Sequence, residues 1–227
     1  MQLYKSSIIV SIDIAHIFMS EEKLFIERFR NECLLGYTEE CKKILEETDY
    51  KYINAYNQYG ETPILIAIWF QRYELAEILC AHGCDIADAE DNYGWNVLRI
   101  AAHRNNINFV KKAIAAGCDI NAKNKCSHRH FSPIQLVLRA VGVGQTEMAN
   151  EIAILLIDKG AKFMDVIEDE SLYIEDGFSY RPVIEHIRDK YKKHICAEID
   201  DVNTVIYASF KNNYAIALIG IICEFIV

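Results

Sequence analysis

Cys126-Ser-His128-Arg-His130 sets one cysteine and two histidines at alternate positions. Soft and borderline ligands at alternate positions could face one side of an extended hairpin and hold zinc. A structural zinc site needs a fourth ligand, and the sequence supplies none at a fitting spacing. The expected reading is therefore an exposed loop tip, with no metal or cofactor. Cys80 and Cys84 are four apart, but Gly83 interrupts the helix between them, so both are expected to pack. Eight Cys and seven His make imaginary cysteine-hydrolase sets, such as Cys196 or Cys126 with a distant His, easy to draw. Nothing local marks any of them as activated. There is no phosphate-binding loop of the G-x-x-x-x-G-K-[ST] kind, no nucleophile elbow and no H-E-x-x-H, and Gly142-Val-Gly144 lacks the rest of any phosphate pattern. The expectation is a protein that is not an enzyme; the alternative is a targeting arm for an activity hidden in the C-terminal quarter.

The composition bounds what else the chain does. Of 227 residues, 52% are apolar and 25% charged, as in ordinary folded domains. A net charge of -9 repels phosphate backbones, so no nucleic-acid partner is expected. The cysteines sit in apolar helical runs without a C-x-x-C pair, which reads as reduced thiols in a reducing, cytoplasmic compartment. Residues 6–19 are apolar-rich, but Asp13 and His16 interrupt them and no small-residue cleavage site follows, so a secretory leader is not expected. Residues 214–227 are very apolar yet number only 14 and include Glu224. A spanning helix needs about 20 apolar residues. A buried helix is the expected reading there, and a membrane-associated tail the alternative.

The elements that position any functional surface come from internal self-similarity. Thr62-Pro63-Ile64-Leu65-Ile66-Ala67 has a counterpart 34 residues later, Asn96-Val97-Leu98-Arg99-Ile100-Ala101, and another 36 residues further, Ser132-Pro133-Ile134-Gln135-Leu136-Val137. Gly83-Cys84-Asp85-Ile86 likewise repeats as Gly117-Cys118-Asp119-Ile120, and Gly160-Ala161 follows after an insertion. In each unit a small polar residue (Thr62, Asn96, Ser132) should cap a short helix, with proline tolerated at the first position. A second helix with apolar residues three and four apart follows, over 73–81 or 108–116, and glycine ends it. One such hairpin cannot bury its apolar face alone; stacked neighbours can.

These residues resemble the ankyrin-repeat family. Gly60-x-Thr62-Pro63-Ile64-x-x-Ala67 is similar to the family's G-x-T-P-L-H-x-A, and Gly117-Cys118-Asp119-Ile120-Asn121-Ala122 to its G-A-D-I-N-A. Leu65, Arg99 and Gln135 stand at the family's histidine position, so the capping network built on that histidine is weakened or replaced. The resemblance implies an all-α solenoid of stacked helix-turn-helix units with β-hairpin or loop fingers, about four to five repeats with degenerate caps. The expected organisation is an N-terminal extension over 1–19 and repeats at 20–55, 56–88, 89–122 and 123–163. A helical C-terminal extension over 164–227 would include a degenerate final repeat, since Ala208 to Tyr214 lines up with Ala101 to Ile107. Residues 181–199 carry apolar positions at helical spacing, and 164–180 read as an acidic connection.

The same resemblance implies a protein partner held by the fingers and the concave face of first helices. The fingers are 56–60, 90–95 and 123–131. Carried over by position, the partner-binding candidates are Tyr56, Tyr59, Trp69, Phe70, Tyr93, Trp95, Arg99, His103, Arg104, Arg129, His130 and Arg139, with Phe210 and Lys211 in the tail. Tyr, Trp and Arg are the usual interface anchors. The competing reading is that Trp69, Phe70 and Trp95 pack against the neighbouring unit. Glu90 and Asp91 make one finger acidic, while Lys123, Lys125, Arg129 and Arg139 make the next basic. In the family the asparagine at Asn54 and Asn121 can be hydroxylated by a host oxygenase; a loop hydrogen bond is the plainer expectation. The Ile-, Lys-, Asn- and Tyr-rich texture with degenerate repeats resembles the host-directed ankyrin proteins of intracellular bacteria and large DNA viruses, for which the site of action would be the host cytoplasm.

Overall fold

The computed structural model describes residues 20–123, 131–139, 146–162 and 181–200. Outside them lie the zinc candidate at Cys126, His128 and His130, together with Arg129, the insertion at Gly142 and Gly144, and the tail positions Phe210 and Lys211. The N-terminal extension, residues 164–180 and the apolar segment 214–227 also lie outside.

The described elements are helices: α1 (Glu21–Leu35), α2 (Thr38–Glu47), α3 (Pro63–Trp69), α4 (Tyr73–Ala81), α5 (Val97–His103), α6 (Ile107–Ala116), α7 (Pro133–Arg139), α8 (Thr146–Asp158) and α9 (Arg181–Asp200). The contacts divide the chain into two compact units, before and after the junction of Pro133 and Ile134. In the first, three helical hairpins pair α1 with α2, α3 with α4 and α5 with α6. The first helices of neighbouring hairpins pack in series, α1 on α3 and α3 on α5, and α2 touches α4. This is the stacked-hairpin arrangement that the repeat demands.

Local chemistry explains the breaks. Gly36 takes a left-handed conformation (φ 85°) after α1, and Gly117 does the same (φ 93°) after α6. Asn96 and Asn106 cap α5 and α6 by accepting the N–H groups of Arg99 (2.9 Å) and Phe109 (3.0 Å). Ser20 caps α1 through Lys23 N–H at 3.4 Å. Thr62 stands at the N-cap of α3, but its hydroxyl makes no capping bond and is buried without a hydrogen-bond partner. Pro63, which has no N–H to satisfy, opens that helix.

The core of the first unit is apolar and mixes large with small side chains. Phe29, Ile64, Ala67, Leu75, Ala76, Leu79, Val97, Ala101, Phe109 and Ala113 are 0–1% exposed. Cys33 and Cys41 are also fully buried, their sulfurs 3.5 Å apart between α1 and α2, and both are free thiols, as are Cys80, Cys84 and Cys118. In the second unit, Ala149, Ile152, Ala153 and Leu156 of α8 are fully buried, and Val183 and Ile187 of α9 nearly so. Asp158 joins α8 to α9 by accepting from His186 at 2.8 Å and lying 3.6 Å from Lys190. No helix among the described residues is long and apolar enough to cross a membrane. The same residues contain no group of three or more Cys, His, Asp or Glu arranged to hold a metal.

Candidate partner-binding groove

The fingers of the first unit are tight turns. The β-hairpin form reduces to a single antiparallel bridge between Glu90 and Asn96 among the described residues. One side chain organises each turn. Asn57 accepts the N–H groups of Tyr59 (2.9 Å) and Glu61 (3.0 Å) on its Oδ1. Thirty-four residues on, Asp91 accepts those of Tyr93 (2.9 Å) and Trp95 (2.8 Å) in the same way. The backbones match too: Asn57 N–H donates to the Glu61 carbonyl at 3.1 Å and Asp91 N–H to that of Trp95 at 3.0 Å. Burial pushes the Asp91 carboxyl up from its ordinary value, and the two N–H donors pull it back.

Neighbouring fingers are stitched together. Asn92 donates its backbone N–H to the Tyr59 carbonyl (2.8 Å) and its side-chain amide to the Gln58 carbonyl (2.9 Å). The approach is close enough that a Cβ on Gly60 would sit 2.9 Å from the Asn92 nitrogen, and Gly60 itself has φ 78°. Lower on the same edge, the Asn54 side chain accepts the Asp85 N–H at 2.8 Å. That bond gives the Ile-Asn-Ala asparagine a structural job between consecutive repeats.

Behind the fingers the aromatic residues gather. Trp69 and Trp95 meet edge to face at 5.2 Å, and His103 stacks on Trp69 at 5.9 Å. The Arg104 guanidinium carbon lies 4.8 Å from the Trp69 ring centre, and Arg30 lies 5.7 Å from that of Phe70. Trp69, Phe70, Trp95, His103 and Arg104 are all half-buried. They pack between repeats and yet keep surface. Burial, with Arg104 adding repulsion, holds the His103 imidazole below its ordinary value. Tyr56, Tyr59 and Tyr93 are the open members, 66%, 43% and 50% exposed. A hollow of about 340 Å³ is lined by Arg30, Tyr59, Glu61, Leu65, Trp69, Asp91, Tyr93, Trp95 and Ile100.

One candidate is misplaced by the sequence reading. Arg99 is not a partner-facing side chain: it is fully buried. It donates through Nη1 to the Gly94 carbonyl and lies 4.9 Å from the Trp95 ring centre. The physical reason is position: Arg99 lies on the inward face of α5, and its long side chain ties the finger to that helix. Arg139 lies at the end of α7, in the second unit. Two participants went unseen in the sequence. Arg30 of α1 reaches Glu61 at 2.8 Å, and Asn57 holds the same carboxylate at 2.7 Å. No motif marks Arg30. The pairing of Asn57 with Asp91 was available from the 34-residue register.

Residues 32–124 match the family described as ankyrin repeats (3 copies). The chain is 25% identical over 103 residues to the Ankyrin repeat and SAM domain-containing protein 6 of Rattus norvegicus, and equally to that of Mus musculus. The similarity covers 45% of this chain and 12% of each relative. Paired helices stacked in series and turn fingers lie over the same residues as the family match, so residues 32–124 are similar to ankyrin repeats in sequence and in arrangement.

Proposed function

We propose that the first unit is a protein-recognition module whose partner seats on the fingers and first helices of residues 56–104, with no catalysis of its own. Ankyrin repeats imply protein–protein interaction in general, and one observation carries the assignment to this face. Tyr59 and Tyr93 stand 43% and 50% exposed over a hollow that Trp69 and Trp95 also line. Rigid aromatics with polar tips are the side chains that anchor protein interfaces, because they offer large area at small entropic cost. The stitched fingers hold the rings in register before a partner arrives, which lowers the cost of binding. Free thiols at Cys33, Cys41, Cys80, Cys84 and Cys118 fit a cytoplasmic site of action. The Ile-, Lys-, Asn- and Tyr-rich texture favours a host-directed role for this module.

The test is affinity capture from a eukaryotic lysate with mass-spectrometric identification, followed by variants. Trp69→Ala with Tyr93→Ala should abolish capture of the partner. Because Trp69 also packs on Trp95 and His103, Tyr59→Ala with Tyr93→Ala removes only exposed rings and should abolish capture with an unchanged circular-dichroism melt. Capture that survives both variants rejects the concave face as the docking surface.

A further inference from the structure

The concave-face reading leaves the chemistry of the partner open, and the charges around the two stitched fingers narrow it. Of the seven carboxylates in residues 54–95, Glu74 and Glu77 lie on α4 beside Lys42 (2.6 Å) and Lys112 (2.9 Å) and Glu61 beside Arg30, while Asp85, Asp88, Glu90 and Asp91 line the fingers. The one Lys or Arg in the same stretch is Arg72. That guanidinium is already engaged, donating to the Cys33 carbonyl at 3.0 Å. The aromatic hollow has one cation in its wall, Arg30, neutralised by Glu61 at 2.8 Å. A second hollow of about 330 Å³ is lined by Tyr56, Asp85, Asp88 and Glu90, with no basic side chain in its wall. Both hollows border the same pair of fingers: Tyr59 and Tyr93 line the first, Gly60 and Asn92 the second.

We propose, resting on the concave-face reading, that the occupant is an extended, arginine-bearing segment of a partner protein, with a guanidinium at the acidic hollow and a neighbouring apolar side chain in the aromatic one. Exposed tyrosine faces beside exposed carboxylates suit guanidinium chemistry, because one planar cation can stack on a ring and fork onto a carboxylate together. An ammonium offers only a point charge. The acidic field of the finger pair steers such a segment and rejects an acidic one.

The full chain is titrated against a fluorescein-labelled 15-residue peptide in which arginine alternates with glycine and leucine, read by fluorescence anisotropy. The matched control carries citrulline, the neutral isostere, at every arginine. The arginine peptide should bind about tenfold more tightly than the citrulline peptide, the scale set by one exposed cation–π contact with an ion pair. Asp85→Asn with Asp88→Asn should remove most of that tenfold. Glu22→Gln with Glu40→Gln, exposed carboxylates on α1 and α2, should leave it. Equal binding of both peptides, or equal effects of the two carboxylate pairs, overturns the inference. If both peptides bind equally and Tyr59→Ala with Tyr93→Ala abolishes both, the concave face stands and its basic ligand falls. If neither substitution set changes binding, both readings fall.

Discussion

Arg99 carries a charge with no exposed surface, and this sets what its replacement should do. Its Nη1 serves the Gly94 carbonyl, while Nε and Nη2 have no hydrogen-bond partner. Desolvation pulls its pKa down, and Asp91 and Glu90 oppose that pull. Arg99→Ala would open a cavity and orphan the Gly94 carbonyl, at a cost of about 2–4 kcal/mol in urea melts. Arg99→Met leaves the same carbonyl unpaired but fills much of the space and sheds the buried charge, so it should cost clearly less than Arg99→Ala, about 1–2 kcal/mol. Equal damage from both would show that the charge itself holds the finger. His103 gives a pH-dependent counterpart. Its folded pKa lies below the ordinary 6.5 because burial disfavours the imidazolium. Above that value neither folded nor unfolded chain holds the proton, and His103 contributes no slope. As pH falls below it the unfolded chain takes up the proton first, so stability drops until the folded pKa is passed. His103→Gln should flatten the stability-versus-pH curve in that window; an unchanged slope would show that another group titrates there.

At the scale of the element, the fingers are where sequence and structure part company. Helix bounds, the stopping glycines and the Asn96 cap were legible because each follows from local periodicity or backbone chemistry. Three features were not. The burial of Arg99 depends on which face of α5 meets the finger turn, and the Arg30–Glu61 pair joins residues 31 apart through the packing of separate hairpins. The idle hydroxyl of Thr62 follows from its rotamer at a buried helix start, which residue type alone does not fix. Tyr59, Tyr93 and Trp95 came from the register of the repeat, and they fall around one hollow. Glycine substitutions separate the two kinds of constraint. Gly117→Ala meets nothing within 4 Å and strains only its left-handed backbone, at about 1 kcal/mol. Gly60→Ala adds a collision with the Asn92 backbone to the same strain and should cost more, about 2–3 kcal/mol. Equal melting shifts for the two would mean that the stitch between fingers is soft.

In the first unit as a whole, stability and binding share one geometric variable, the spacing between consecutive hairpins. Ala67 in α3 and Ala101 in α5 are fully buried where the first helices pack, so small side chains set how closely the repeats approach. The same spacing sets the separation of Tyr59 and Tyr93 and the length of the Asn92–Tyr59 bond, because each finger leads directly into its own first helix. Ala101→Leu would force added methylenes into that contact, and overpacking of this kind costs about 1–3 kcal/mol. Unlike a damaging substitution confined to one hairpin, it should also spread the fingers and weaken partner binding at temperatures well below the melt. Ala115 is exposed on α6, so Ala115→Leu adds the same atoms without touching the repeat spacing and should change neither property. Urea denaturation and partner binding on both variants decide the matter. A destabilised Ala101→Leu protein that binds as tightly as the parent would show that the groove is shaped by the fingers alone, independent of how the hairpins stack.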